Sequence, residues 1–459
     1  MYQIDFEKPE KVHFIGIGGI SMSGLAEILL SRGFSVSGSD WHKSPLTQKL
    51  EKDGAVIYEG QRKENISPDL SVVVYTAAVH PDNPEYREAV CLGLPLLSRA
   101  ELLGELMRNY KKAAAVAGTH GKTTTTSMLT EILLKEGMDP TVSVGGMLPS
   151  IGGNVRIGYS DCMVAEACEY TNSFLELYPT VSVILNIRED HLDFFRDIDD
   201  IRSSFRRFAQ RTPADGAVVI DTGIEDYREI VRDLPCRIIT VGEGEEADYQ
   251  AKDVVYDSLD DARFTVVTSA GEREDVRLKV PGAHNVENAL AAIAAARFLG
   301  AGWEAIRAGL LHYEGTERRF QKKGEFAGVT VVDDYAHHPD EIRATLSAAA
   351  AMHFSKVWCV FQPHTYSRTR ALFEDFAQAL TLADEVVLAD IYAAREPFDP
   401  GISSEMLAER VRELGRPAHH FDSFEKIEKF LYEHCMHGEL LITMGAGDIV
   451  KVGEALTNG

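Results

Sequence analysis

The stretch from Ala113 to Gly137, AAAVAGTHGKTTTTSMLTEILLKEG, decides the fold. AAAVAG is a short, wholly apolar run of the kind buried on both faces of a parallel sheet. SMLTEILLKEG carries its apolar residues at helical spacing and closes on glycine. Between them lies Gly118-Thr119-His120-Gly121-Lys122-Thr123. Strand, glycine turn and helix form the repeating unit of an open α/β sheet, which binds ligands at such turns. Small residues let backbone amides approach phosphate oxygens, and the helix amino terminus adds partial positive charge. Lys122 can reach the outer phosphates, and the Thr123 hydroxyl suits Mg²⁺. The loop departs from the full GxxxxGK[ST] pattern, because Val116 stands at the first glycine position. A tight turn with a solvated lysine is the plain alternative.

The same alternation extends on both sides. Upstream, KVHFIG, a glycine turn, a helix from Ile20 to about Arg32, and the strand FSVSGSD open a first block. AVIY, SVVVYTAA and LPLLS continue it, and the helix RAELLGELMRNY closes it. The second block adds the strands CMVAEA and VSVILNI, a hairpin around Ser269–Glu272, and the helices NALAAIAAARFLG and WEAIRAGL. The third follows GTERRFQKKGEF, with the apolar runs VTVVDD, KVWCVFQP, EVVLAD and ELLITMG. The expectation is three α/β domains over residues 1–110, 111–319 and 320–459, the outer two doubly wound.

Composition narrows the function. The chain has 459 residues, 45% hydrophobic and 26% charged, which is ordinary globular usage. With 47 basic and 71 acidic residues its net charge is −24, so it is a poor clamp for nucleic acid or an anionic membrane. The cysteines at 91, 162, 168, 236, 359 and 435 have no CxxC spacing and read as reduced thiols. MYQIDFEKPEK lacks the basic and apolar segments of a signal peptide, and the most apolar stretch is interrupted by Arg297. A cytoplasmic protein without a membrane span is expected.

Gly16-Ile17-Gly18-Gly19-Ile20-Ser21 resembles a dinucleotide fingerprint without its third glycine, and Asp40 ends the next strand where a ribose-binding acid would sit. An NAD-dependent oxidoreductase is one reading of this loop alone. An ATP-binding regulatory module is one reading of the second loop.

The two loops, in this order and with HFIGIGGISMSGLAEIL, EACEYTNSF, NIREDHLDFF, PGAHNVENALAA, TERRF, DDYAHHPDEI and FQPHTYSRT following along the chain, resemble the Mur ligases of peptidoglycan synthesis. The resemblance covers essentially the whole chain. It is nearest to the members that add L-alanine; the members that recycle a murein tripeptide are the alternative. It implies a Rossmann-like amino-terminal domain for a UDP-sugar, a central P-loop ATPase-type domain and a Rossmann-like carboxyl-terminal domain that binds the amino acid. It implies ATP-dependent amide formation between the lactyl carboxylate of UDP-N-acetylmuramate and L-alanine, through an acyl phosphate. ATP and Mg²⁺, as two ions, are the implied cofactors, and a monomer or homodimer the implied assembly.

The residues follow from the matched motifs. Gly16, Gly18, Gly19, Ile20, Ser21 and Asp40 are the expected UDP-sugar contacts. ATP falls to Gly118, Thr119, His120, Gly121, Lys122, Thr123 and Thr124, with His284, Asn285, Asn288 and Arg319. Thr123, Glu166 and His191 are the expected metal ligands, with Glu169 a neighbour three residues after Glu166. Asp334, Tyr335, His337 and Arg368 are the expected amino-acid contacts, and Lys122, His191, His337 and Arg368 the catalytic set. Asn285 reads equally as a helix cap. Three departures stand out: Ser21 where glycine is usual, Arg206 and Arg207 where some members carry a carbamylated lysine, and Thr365 where many have arginine. No carbamate is expected, and the two arginines are candidates to supply charge directly. His434 and His437 read as an exposed helix face.

Overall fold

A computed structural model describes residues 2–458 except Ala77, Asp193, Glu245, Leu259, Asp260, Pro281, Ala351, His353 and Arg395. Three sheets are present. The first takes β1 (Lys11–Ile15), β2 (Ser35–Asp40), β3 (Val56–Glu59), β4 (Val72–Tyr75) and β5 (Leu96–Ser98), all parallel in the order β3-β2-β1-β4-β5. Strand order reverses between β1 and β4, so a crevice opens beyond the carboxyl end of β1, where the first glycine loop lies.

The middle sheet has ten strands. They are β6 (Lys112–Ala117), β7 (Thr141–Leu148), β8 (Gly153–Arg156), β9 (Cys162–Glu166), β10 (Val181–Ile184), β11 (Ala217–Asp221), β12 (Arg237–Val241), β13 (Tyr249–Ser258), β14 (Asp261–Thr268) and β15 (Arg273–Leu278). Their order is β15-β14-β13-β12-β11-β10-β6-β9-β7-β8. Ala113 to Ala117 are fully buried at the centre of this sheet, as their uniformly apolar run requires. The antiparallel β7–β8 pair is an element the sequence reading did not contain.

The third sheet comprises β16 (Gln321–Phe326), β17 (Val329–Asp334), β18 (Val357–Phe361), β19 (Glu385–Ala389), β20 (Ala418–Phe421) and β21 (Leu440–Met444), in the order β16-β17-β21-β18-β19-β20. QKKGEF, which precedes the apolar runs of the third block, is therefore a strand, antiparallel to β17. Its lysines sit on an exposed edge, where charge is tolerated and discourages further pairing, so its pattern is not apolar. AHHF at the other edge escaped notice for the same reason. The carboxyl-terminal sheet is parallel with one antiparallel edge.

The chain divides into two compact units. One holds Met1–Lys252, Thr265–Asp275 and Asn288–His312; the other holds Asp253–Phe264, Val276–Glu287 and Tyr313–Gly459. The first sheet and most of the middle sheet thus share a unit, parts of β13, β14 and β15 falling to the other. One reason is a single apolar core running from Phe14 and Leu25 through Leu106 to Phe174 and Phe208. Another is Gly104, in the helix Arg99–Met107, where a Cβ would overlap the Glu176 carbonyl oxygen, so backbone rests on backbone. In the other unit, separate apolar clusters cover the two faces of the third sheet. All six cysteines are free thiols, and no helix among the described residues is long and apolar enough to cross a membrane.

Candidate active site

The phosphate loop follows β6. The helix Lys122–Lys135 begins at Lys122, five residues before the apolar periodicity becomes visible at Ser127, because Gly121 takes φ +82° and turns the chain directly into it. Thr123 and Thr124 are buried in its first turn. A Cβ on Gly121 would collide with Asn288 Oδ1, which places Asn288 against the loop. Asn186 steadies the loop from β10's side: its Oδ1 accepts from His120 N–H at 2.8 Å and its Nδ2 donates to His120 O at 3.0 Å. Arg188 N–H donates to Thr119 Oγ1 at 2.9 Å.

Lys122 is buried. Its Nζ donates to the carbonyl oxygens of Gly118 at 2.6 Å and Thr119 at 3.0 Å, and lies 3.0 Å from Glu169 Oε2. Burial alone would lower its pKa, but the pull of Glu169, Cys168 and Glu166 outweighs burial and raises it, so the ammonium stays charged. Glu166 ends β9 and accepts from Thr123 Oγ1 and from Gly145 N–H, each at 2.8 Å. A Cβ on Gly145 would lie 2.7 Å from both Glu166 oxygens, so β7 presses that carboxylate towards the loop. His191 has φ +53°, its ring lies 4.5 Å from that of Tyr170, and its Nε2 is 3.7 Å from Glu169 Oε1.

Lys122, Thr123, Glu166 and His191 are therefore brought together, with Glu169 at the hub. Glu169 lies three residues after Glu166, and its 2% exposure and two partners make it central. Thr123 and Glu166 offer the hard oxygen donors that Mg²⁺ prefers, and His191 stands beyond Glu169. Arg206 does not supply charge here: its guanidinium binds the carbonyls of Ile230 and Arg232 behind the helix Tyr227–Val231. Arg207 Nη2 lies 3.4 Å from Asn172 Oδ1.

In the first domain, Gly16 has φ +83° and Gly19 caps the helix Ile20–Ser31 without any side-chain cap. Asp40 also holds its own loop. Its Oδ2 accepts from Gly18 N–H and its Oδ1 from Trp41 N–H, both at 2.8 Å, so it fixes the glycine turn. A cavity of about 330 Å³ lies between the first and middle domains, bounded by Ile20, Ser21 and Arg99 on one side and Gly145, Glu166 and Phe174 on the other.

The second unit carries the remaining candidates. The helix Ala283–Leu299 starts before Asn285, whose N–H bonds Gly282 O, so Asn285 is not its cap. Burial and the Arg319 charge push the His284 pKa down to about 4, leaving a neutral imidazole near neutral pH. Arg319 lies 5.3 Å over the Tyr335 ring and 4.0 Å from Glu341. Asp334 is buried: it accepts from Ala336 N–H at 2.7 Å and Phe320 N–H at 2.9 Å, anchoring the loop after β17. Burial pushes its pKa up to about 6.

His337 N–H donates to Glu341 Oε2 at 3.0 Å, and its ring lies 6.0 Å from that of His364. His364 Nδ1 is 3.5 Å from Arg368 Nη1, so Tyr335, His337 and Arg368 form one patch beyond β17 and β18 through His364. His364, inside FQPHTYSRT, was passed over by the sequence reading. Thr365 opens the following helix at φ +66° and ψ 146°, a region β-branched residues avoid. His434 bonds the Phe430 carbonyl at 2.8 Å, and His437 lies beyond the helix Phe424–His434.

Three family models match the chain: "Mur ligase family, catalytic domain" over residues 11–111, "Mur ligase middle domain" over 116–296 and "Mur ligase, glutamate ligase domain" over 318–447. The chain is 58% identical over 457 residues to a UDP-N-acetylmuramate–L-alanine ligase of Lachnospira eligens, covering 99% of this chain and 100% of that one. It is 56% identical to the ligase of the same name from Agathobacter rectalis, over 99% of each. Among solved structures, the UDP-N-acetylmuramate-alanine ligase of Thermotoga maritima aligns with TM-score 0.79 at 31% identity over 98% of both chains. A murein peptide ligase of Psychrobacter arcticus aligns with TM-score 0.69 at 24% identity over 98% of both, a likeness of fold alone.

Proposed function

The chain belongs to the Mur ligase family, and from that premise we propose how it works. It joins L-alanine to the lactyl carboxylate of UDP-N-acetylmuramate, using ATP, in peptidoglycan precursor synthesis. The tripeptide-recycling alternative is not favoured, because the most identical relatives carry the alanine name. One observation carries the reaction type: behind a glycine loop, a buried lysine and two glutamates converge at a helix amino terminus. The enzyme works in the cytoplasm, where UDP-sugars and ATP are available.

A carboxylate cannot be displaced by an amine at useful speed, because its leaving group is poor. Its oxygen therefore attacks the γ-phosphorus of ATP, ADP leaves, and the acyl phosphate gains a good leaving group. The alanine nitrogen then attacks the carbonyl carbon, phosphate departs, and the amide remains. The first step brings two anions together and needs fixed positive charge. Lys122 supplies it from the loop, its ammonium exchanging the Gly118 and Thr119 carbonyls for phosphate oxygens. Thr123, Glu166 and His191 would hold Mg²⁺, which when bound neutralises the phosphates.

Asn288, His284 and Arg319 bind the rest of the nucleotide, and the glycine loop from Gly16 to Ser21 takes the UDP moiety. Tyr335, His337 and Arg368 receive alanine, Arg368 holding its carboxylate and His337 positioned to take a proton from the attacking amine. The test is phosphate release with UDP-N-acetylmuramate, ATP and Mg²⁺, each amino acid being added in turn. Release should require both acceptor and alanine. Release supported by a murein tripeptide and not by alanine would overturn the assignment.

A further inference from the structure

The patch proposed for alanine rests on a segment that no sequence motif marked, the chain between β19 and the helix Ser404–Glu413. Three of its residues hold the stretch Pro363–Arg370 from outside. Tyr392 O accepts from Thr365 N–H and Tyr392 N–H donates to Pro363 O, both at 2.9 Å. The Tyr392 ring stacks on that of His364, with centroids 5.6 Å apart. Glu396 Oε2 accepts from Ser367 N–H at 3.0 Å, and its Oε1 accepts from the Ser367 hydroxyl. Asp399 adds an ion pair with Arg370.

The helix Tyr366–Ala371 needs that outside support. Thr365, which precedes it, stands at φ +66° and ψ 146°, and its side chain makes no capping hydrogen bond. First-turn amides have no partner within their own helix, so an acceptor must come from elsewhere. Glu396 supplies it from 29 residues further along the chain. Burial would raise the Glu396 carboxyl, but its hydrogen bonds from Ser367 outweigh burial and hold it below the usual carboxylate range, so it stays ionised. Arg368 lies in the turn so capped. Its Nη1 is 3.5 Å from His364 Nδ1, and burial and the guanidinium charge lower the His364 pKa, which leaves Nδ1 as an acceptor. The guanidinium is thus steered through its side chain by His364, backed by Tyr392, and through its backbone by Glu396.

We propose that Glu396 is a positioning residue for the amino-acid substrate: by capping the turn that carries Arg368, it aims the guanidinium at the alanine carboxylate. This rests on the ligase reading, which supplies the substrate. Paired guanidinium–carboxylate hydrogen bonds need the planar fork aligned with its partner, so a turn that frays loses one bond of the two. Both Glu396 oxygens are engaged by Ser367, so the carboxylate acts through the turn and not on alanine itself. The strained backbone at Thr365 persists because its surroundings over-determine it, with Tyr392 bonded at Thr365 N–H and Glu396 two residues on.

Steady-state phosphate release by the full chain tests this, with alanine, ATP and UDP-N-acetylmuramate varied in turn. Glu396→Ala should raise the alanine Michaelis constant roughly tenfold, the scale of one lost cap, with kcat and the other two Michaelis constants little changed. Glu396→Gln keeps an oxygen for the Ser367 amide and should recover most of the loss. In an Arg368→Ala background, Glu396→Ala should add less than about twofold, because the group it positions is gone. Ser367→Ala removes only the hydroxyl bond and should raise the alanine constant roughly two- to threefold. Should Glu396→Ala not fold, Ser367→Ala carries the same comparison in both backgrounds. An equally large rise with and without Arg368, or a glutamine variant as impaired as the alanine one, would overturn the proposal by making Glu396 a direct contact of the substrate ammonium. Parallel rises in the ATP and UDP-N-acetylmuramate constants would overturn it by reducing Glu396 to general support of the fold, and unchanged alanine use would overturn it outright. No alanine-dependent phosphate release by the unaltered chain would instead overturn the ligase reading.

Discussion

Replacing Lys122 by methionine separates two things this side chain does. The loop alone suggests that removing the lysine would stop ligation and leave the fold untouched. The structure says otherwise. Lys122 and Glu169 lie 3.0 Å apart with side chains only 14% and 3% exposed. Methionine preserves length and packing but strands Glu169 as a buried carboxylate. Breaking a buried ion pair typically costs about 3–5 kcal/mol. The Lys122 side chain keeps some exposure, so the lower end applies, about 3 kcal/mol. For a unit of this size the unfolding midpoint should fall by roughly 5–10 °C.

Adding Glu169→Gln removes the stranded charge, and the double variant should recover most of that loss. Catalysis should not recover, because a fixed positive charge near the transferred phosphoryl group is worth about 10²–10³ in rate. Differential scanning calorimetry reads the first quantity and phosphate release the second. A single variant that melts with the parent, or a double variant that melts no higher than the single one, would refute the buried-pair argument. Near-normal turnover in either would refute the role of Lys122.

Gly145→Ala should cut turnover about tenfold or more with little change in melting. Its new Cβ would stand 2.7 Å from both Glu166 oxygens and must displace that carboxylate, and small misplacements are costly in rate. Normal turnover would show that the position of Glu166 is not critical. Thr365→Gly should stabilise the chain by about 1 kcal/mol, since its φ of +66° and ψ of 146° are strained for threonine. Arg368→Ala should raise the alanine Michaelis constant about tenfold, with ATP affinity nearly unchanged, whereas Thr365→Ala should matter far less. Equal damage from the two alanine substitutions would show a direct threonine role.

The His284 pKa of about 4 lies below its ordinary 6.5, so the folded state binds its proton less readily than the unfolded one. Its contribution to stability is present above pH 6.5 and is lost as pH falls towards 4. His284→Gln should therefore flatten the acid side of the melting profile between those values. An unchanged profile would show that His284 does not carry the titration.

The reactive loop was legible in the sequence because its features are local. A glycine with φ of +82°, a lysine and a threonine at fixed spacing after an apolar run specify a turn, whatever the rest of the chain does. The alternation of strands and helices was legible for the same reason: burial on both faces of a parallel sheet leaves an unbroken apolar run. Edge strands such as β16 and β20 were not, because a strand exposed along one side has no need of such a run.

Partnership was decided only in three dimensions. The sequence placed Asp40, Asn285 and Asp334 among ligand-binding groups by position. Folding adds what each holds in the chain itself: Asp40 and Asp334 accept from backbone amides of their own loops, and Asn285 lies inside its helix. Conversely, Glu169 and Asn186 matter through neighbours 47 and 66 residues away in the chain. Residue type and spacing determine local conformation and the chemistry a side chain could perform. Which charges meet, and which are left open to a ligand, depends on distant segments that close packing brings within 3 to 4 Å, and no short pattern encodes that.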